Sequence, residues 1–317
     1  MKDDLFPPRS GQQYTIRYGD YAATITELGA TLRTLTYRGS DVIVPWSPDS
    51  LVPCCNGQLL VPFPNRIDNG TYTFQGTTYE LPIDEHDRRN AIHGYGYRAF
   101  WKLIRLDEHQ VSQCWRVPNM VGYPFDITVV STCSLAEDGL HWTVTAHNHG
   151  EQAAPWALAI HPWLSNGYDG YGDEIDDLNA QCSVTIPAAT HVTVNERLIP
   201  TGTEPVDGTK YDFRNSHALS AQPFDDAWTD VHHETDGTVH ATFTRPDGMT
   251  INVGGDATIT SFQMCTGTGF PANAHPSGVA IEPQTAYANA FNTGNDLIVL
   301  EPKDRSTTEL TIAAQLR

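Results

Sequence analysis

The sequence predicts an antiparallel, nearly all-β protein. Three observations carry that expectation: apolar and polar residues alternate at a period of two, Asp-Gly pairs stand between the alternating runs, and no window of about 12 residues shows a helical stripe. In the first run Tyr21, Ala23 and Ile25 alternate with Ala22, Thr24 and Thr26 until Gly29 breaks the pattern, which reads as a half-buried strand and a turn. Val111, Gln113, Trp115 and Val117 form the next run, followed by Ile127, Val129, Ser131, Cys133 and Leu135. The clearest strand has Leu140, Trp142, Val144 and Ala146 on one side and His141, Thr143, Thr145 and His147 on the other. Val239, Ala241 and Phe243 repeat the pattern, as do Thr308, Leu310 and Ile312. Asp138-Gly139, Asp236-Gly237 and Asp247-Gly248 each stand where a hairpin is expected to close. Helices are expected to be short and peripheral. No Pro-, Gly- or Ser-rich linker, charge block or fixed-period repeat divides the chain, so residues 1–317 are expected to form one large domain.

Composition narrows the partners. With 39% hydrophobic and 18% charged residues the chain is of globular rather than disordered type. Its 38 acidic against 19 basic residues give a formal net charge of -19, which repels polyphosphate backbones and makes nucleic acid an unexpected partner. An anionic sugar phosphate would need a dedicated arginine cluster, whereas a neutral ligand needs none. No run of about 18 apolar residues is present, so no membrane span is expected. Met1 to Pro8 lacks the apolar core of an export signal. The six cysteines have neither a metal-ligand spacing nor the density of a disulfide scaffold; reduced thiols in a cytoplasm are the expectation.

The chemistry-bearing candidates centre on Glu282. Val279, Ala280 and Ile281 read as the end of a buried strand and Pro283 as its stop, leaving Glu282 at the mouth between them. A carboxyl held there is partly desolvated, which raises its pKa toward neutrality and suits it to proton transfer; a strand-end Glu facing water is the competing account. Asn65-Arg66-Ile67, fixed by Pro62 and Pro64 and followed by the Asp68-Asn69-Gly70 turn, offers forked donors for hydroxyl groups, or else a structural ion pair. His93-Gly94 is compatible with a ligand contact or a strand cap. His161-Pro162-Trp163 carries an imidazole to the edge of the apolar run Trp156 to Ile160, where a core histidine bonded to a carbonyl is the alternative. Asp225 can accept from sugar hydroxyls beside Trp228, whose ring would stack on an apolar sugar face; an ordinary Asx turn competes. Gln263 ends a strand and says nothing alone. His232-His233 with Glu234 does not read as a metal site, because neighbours on an extended chain face opposite ways. Neither a nucleophile elbow nor a phosphate-binding glycine loop is present.

In their order and surroundings these pieces resemble the aldose 1-epimerase (galactose mutarotase) family over nearly the whole chain. The matching residues are Asn65-Arg66-Ile67 with Gly70, Tyr72, Phe74, Gly76 and Tyr79; His93-Gly94; Gly122-Tyr123-Pro124; His161-Pro162-Trp163; Asp225 with Trp228; Gln263 before Thr266-Gly267; and Glu282-Pro283-Gln284-Thr285 with Asn289-Ala290-Phe291. The resemblance implies a large antiparallel β-sandwich of the galactose mutarotase type with a sugar across one open face. It implies Glu282 as general base and His161 as general acid, Asn65, Arg66, His93, Asp225 and Gln263 as holders of sugar hydroxyls, and no metal or organic cofactor. The family often has Tyr-Phe after its His-Pro pair, whereas Trp163-Leu164 stand here, and its usual Asn upstream is missing from Trp156 to Ile160. These departures resemble a bacterial subgroup and leave the preferred aldose open, as the sequence also leaves open monomer or homodimer.

The expected reaction is acid/base opening of a cyclic aldose and reclosure to the other anomer, with Glu282 ionised and His161 protonated. Ordinary values of about 4.3 and 6.5 place the joint optimum between them, and mutual attraction of the charged pair would push the upper limb toward neutrality. Two other readings are a hexose-6-phosphate mutarotase, using Arg88, Arg89 and Arg98 against the acidic flank Asp84, Glu85 and Asp87, and a non-catalytic sugar-binding module. A glycoside hydrolase would need a second facing carboxylate that the sequence does not supply.

Overall fold

The computed structural model describes residues 6–168, 174–220, 222–271 and 273–316, so the reading of Met1 to Leu5 lies outside the described residues. The protein is built from antiparallel sheets. Nine strands form the larger one, in the spatial order Lys102–Leu106, Gln110–Arg116, Ile127–Ala136, Gly139–Asn148, Arg305–Leu316, Met249–Gly255, Val239–Thr244, Ser183–Thr185 and His217–Ala218. Its middle follows from the period-two pattern: Val129, Trp142, Val144, Leu310 and Ile312 all turn into one core at no more than 1% exposure. Each such large apolar side chain contributes about 1.5–3 kcal/mol by leaving water.

The second sheet carries the site. It runs Pro200–Pro205, Ala188–Val194, Asp225–Val231, Ser261–Cys265, Gly278–Gln284, Ala159–Ile160 and Leu59–Leu60, with Trp163–Ser165 also pairing with Gly278–Gln284. Trp228, Phe262, Met264, Val279 and Ile281 point from it into the same core as the nine-stranded sheet, which makes the pair a sandwich. A four-stranded sheet, Gln13–Tyr18, Tyr21–Thr26, Leu32–Tyr37 and Ser40–Asp41, packs on the larger sheet. The Tyr21 hydroxyl fastens it there, donating to the Ala314 carbonyl at 2.7 Å and accepting from the Ala314 N–H at 2.8 Å. The two α-helices among the described residues, Glu174–Asn179 and Ala290–Thr293, are short, as expected.

Three local expectations change. Asp138-Gly139 and Asp247-Gly248 close hairpins between paired strands, but Asp236-Gly237 does not: it links Asp225–Val231 of one sheet to Val239–Thr244 of the other. Pro283 does not stop its strand, because Gly278–Gln284 runs through it with Pro283 in register with Phe262. Ile281 and Thr285 donate to the Pro162 and Leu158 carbonyls on the side of Ala159–Ile160, and alternation places Pro283 between them on that side. The missing N–H therefore falls where the neighbouring chain is itself interrupted by His161-Pro162. Trp228 lies in the core, 0% exposed, with its indole N–H on the Tyr211 carbonyl at 2.8 Å. Asp225 and Trp228 are three apart on a strand, so their side chains leave opposite faces and cannot share a ligand.

Candidate active site

Two facts about alternation place Glu282. Val279 and Ile281 are fixed in the core, so Glu282 must leave the opposite face of the same strand. Gln263 stands directly across from it on Ser261–Cys265. That second face is also covered, and Glu282 is 2% exposed. His161 reaches it from the adjoining chain. Its backbone is engaged on the far side, donating to Gln58 at 3.0 Å and accepting from Gly57 at 2.8 Å, while its ring turns toward the carboxyl. His161 Nε2 lies 3.3 Å from Glu282 Oε1, and neither His161 Nδ1 nor Glu282 Oε2 makes a hydrogen bond of ordinary geometry. The ring also lies by its own backbone, a contact that favours the protonated form.

Burial governs the protons on this pair. Desolvation, with the charge of Asp225 adding to it, holds the Glu282 carboxyl well above the usual carboxylate range, while Gln284 and Arg66 oppose the shift. Desolvation pushes the His161 imidazole down to about 4, and the positive charge of Arg66 acts in the same direction. Burial opposes the charged form of both groups, which favours a carboxylic acid beside a neutral imidazole over the charged pair expected from the sequence.

The polar wall is a connected set. Asn65 sits at φ 54°, a left-handed conformation that Asn tolerates. Its N–H donates to His93 Nδ1 at 3.1 Å, and the His93 N–H returns to the Asn65 carbonyl at 2.9 Å. Because Nδ1 accepts, the neutral His93 ring carries its proton on Nε2 as a free donor. Burial and the neighbouring His161, Arg66 and Arg98 hold His93 well below its ordinary pKa. Gly94 is required after it: at φ 67° a Cβ would stand 2.3 Å from the Val61 carbonyl oxygen. Asn65 Nδ2 donates to Gln263 Oε1 at 3.1 Å, and Gln263 Nε2 donates to Asp225 Oδ1 at 2.8 Å, which fixes both amide orientations. Arg66 donates from Nη1 to Asn65 Oδ1 at 3.2 Å and grips Glu85 with Nε and Nη2, each at 3.0 Å.

All seven predicted site residues, Asn65, Arg66, His93, His161, Asp225, Gln263 and Glu282, line one cavity of about 230 Å³. Its other wall is less polar, and no sequence pattern groups its residues: Cys54, Trp163, Cys265 and Phe270. Trp163 is held by its indole N–H on the Cys54 carbonyl at 2.9 Å, and its ring lies 6.3 Å from that of Phe270. Glu85 was likewise foreseen only as an acidic flank, not as the partner of Arg66. Nothing in the spacing of 19 residues between them signals the pairing. Arg88 and Arg98 are engaged with Glu85 and Asp84 at 2.9 and 2.7 Å, and neither lines the cavity.

A family model for aldose 1-epimerases matches residues 12–313. Among curated proteins, Escherichia coli K12 YihR, described only as uncharacterised, is 31% identical over 293 residues, covering 92% of this chain and 90% of its own. The galactose mutarotase of Rattus norvegicus is 34% identical over 155 residues, covering 47% of this chain and 42% of that protein. Among solved structures, a GalM/aldose epimerase homologue from Caenorhabditis elegans shares the fold with a TM-score of 0.81 at 20% identity, over 96% of this chain and 99% of that one. The chain belongs to the aldose 1-epimerase family.

Proposed function

We propose that this protein is a mutarotase that interconverts the α and β anomers of a free aldose such as glucose or galactose. The observation that carries the reading is the 3.3 Å approach of Glu282 to His161 on the wall of a cavity whose volume, about 230 Å³, suits a monosaccharide rather than a larger ligand. Family membership supports the class of reaction. Asn65, Arg66, the His93 Nε2–H, Asp225 and Gln263 hold the sugar hydroxyls, and Trp163 with Phe270 covers the less polar side of the ring.

The single proton of the pair suffices for catalysis. Moving it from Glu282 to His161 gives a carboxylate and an imidazolium. The carboxylate takes the C1 hydroxyl proton, the released electron pair forms the C1 carbonyl, the bond from C1 to the ring oxygen breaks, and that oxygen takes the proton from His161 Nε2. The open-chain sugar then lies beside a protonated Glu282 and a neutral His161, the arrangement that burial favours. Rotation about the C1–C2 bond and the same transfers reversed give the other anomer. Positioned acid and base groups each supply about 10² to 10⁴ in rate.

The free sugar is favoured over a hexose 6-phosphate because Arg88 and Arg98 are already matched by acidic partners away from the cavity. Anomer exchange followed by NMR on glucose, galactose and glucose 6-phosphate tests the reading. Acceleration with a free aldose is expected. Acceleration confined to glucose 6-phosphate would transfer the reading to the phosphate, and sugar binding without exchange would make the protein a binding module.

A further inference from the structure

Beside Glu282, on the same face of the sheet, lies a buried polar patch that the acid/base pair does not use. Among the described residues seven buried side-chain polar atoms make no hydrogen bond, and four of them fall here: Glu282 Oε2, Gln284 Oε1, Gln284 Nε2 and Ser261 Oγ. Their grouping follows from register. Gln284 is two residues beyond Glu282 on one strand, and Ser261 and Gln263 stand opposite Gln284 and Glu282 on the next, so the four side chains form a two-by-two patch. Gln284 and Ser261 are both 0% exposed. Three residues beyond Gln284, Tyr287 packs on Val192 and Ala227 of the same sheet.

Beyond its approach to the Glu282 carboxyl, the Gln284 carboxamide has no hydrogen bond of ordinary geometry; a buried polar group left so costs about 1–3 kcal/mol, and native interiors meet such groups with ordered water. An internal water typically serves about three polar partners, and the patch offers four such atoms on side chains that the register makes neighbours. Gln284 is close enough to Glu282 to favour its ionised form. We infer that Gln284 is a positioning residue: with Ser261 it binds internal water that completes the hydrogen bonding of Glu282 Oε2, fixing the carboxyl so that Oε1 faces His161 and the substrate. This rests on the reading of Glu282 as the proton-transfer group. The device gives the otherwise bare oxygen of a buried carboxylate a partner at the moment it becomes charged, when that partner matters most.

The test uses Gln284→Met, which keeps volume and removes the amide, and Ser261→Ala. Each is examined by anomer-exchange kinetics and by the infrared carbonyl band of protonated Glu282, identified through its loss in Glu282→Gln. The expected result for Gln284→Met is a kcat lowered by about tenfold to a hundredfold, the worth of one hydrogen bond to a charged group, with KM changed by less than about threefold. The alkaline limb of the pH profile moves up and the carbonyl band moves to higher frequency; Ser261→Ala does the same in smaller measure. A folded Gln284→Met with unchanged kcat and an unchanged band overturns the inference, as does a rise in KM alone. Should Gln284→Met not fold, Ser261→Ala decides by the same two readings. If the wild type exchanges no anomers, the proposed function fails, while the band still reports whether Glu282 has this partner.

Discussion

In the proposed reaction two residues carry the chemistry, and burial opposes the charged form of each. Ordinary pKa values would leave Glu282 ionised at neutrality and His161 about a quarter protonated; burial works against the carboxylate and further against the imidazolium. The pH dependence follows from the pair, not from either member. Below about pH 4 His161 gains a second proton for the pair and no base remains, and well above the carboxylate range the last proton leaves and no acid remains. The predicted kcat profile is therefore a bell with its acid limb near pH 4 and its alkaline limb above the ordinary carboxylate range. An acid limb at the ordinary histidine value would contradict this assignment. The same burial has a stability consequence. A carboxyl whose folded pKa is raised leaves the fold unburdened below its unfolded pKa, and stability is lost as pH rises toward the folded value. Glu282→Gln should thus raise Tm by about 2 °C or more at pH 8, and by less at pH 5, while lowering kcat by about 10² to 10⁴. Differential scanning calorimetry at the two pH values checks the sign.

The strand Gly278–Gln284 is the element on which the site depends. It lies between Ser261–Cys265 and an interrupted neighbour, and it turns Val279 and Ile281 to the core and Glu282 and Gln284 to the cavity side. Gly278 permits the approach of Trp163–Ser165, since a Cβ there would stand 2.0 Å from the Leu164 carbonyl oxygen. Gly278→Ala should destabilise the fold by about 1–3 kcal/mol in urea titration, with activity lost in proportion to displacement of the adjoining His161 segment. Across the strands, Gln263 ties Asn65 to Asp225. Gln263→Leu should leave Asn65 Nδ2 and Asp225 Oδ1 without this partner and raise KM by about tenfold or more, with a smaller effect on kcat. Individual site pieces were legible because proline or glycine marks the local backbone beside them: His161 before Pro162, His93 before Gly94, Glu282 before Pro283. The role of each mark was less legible. Pro283 reads as a strand end only while the interruption in the neighbouring strand is unseen, and Trp228 reads as a site residue only while the strand's faces are uncounted.

Over the whole molecule, period-two alternation sufficed for an antiparallel all-β architecture, because apolar faces such as Trp142 and Val144 have to meet a partner sheet. It could not say which sheet each strand joins, which is why Asp236-Gly237 read as a hairpin. Contacts between distant segments were equally invisible: Cys54 donates to the Ala274 carbonyl across 220 residues, and Arg66 meets Glu85 through tertiary folding alone. The acidic surface adds a prediction at this scale. With a formal net charge of -19 and the paired Arg88 and Arg98, glucose 6-phosphate should compete poorly with a free aldose, and its competition should weaken further as ionic strength is lowered. Inhibition constants at two salt concentrations measure it.

The central claim is that Glu282 and His161 open and reclose the ring of a free aldose. It is tested most directly by polarimetry of freshly dissolved α-D-glucose and α-D-galactose with wild type, Glu282→Gln and buffer alone. Wild type is expected to speed the approach to an unchanged final rotation, and Glu282→Gln to lose most of this effect. Equal acceleration by the two proteins, or none by wild type with either sugar, would contradict it.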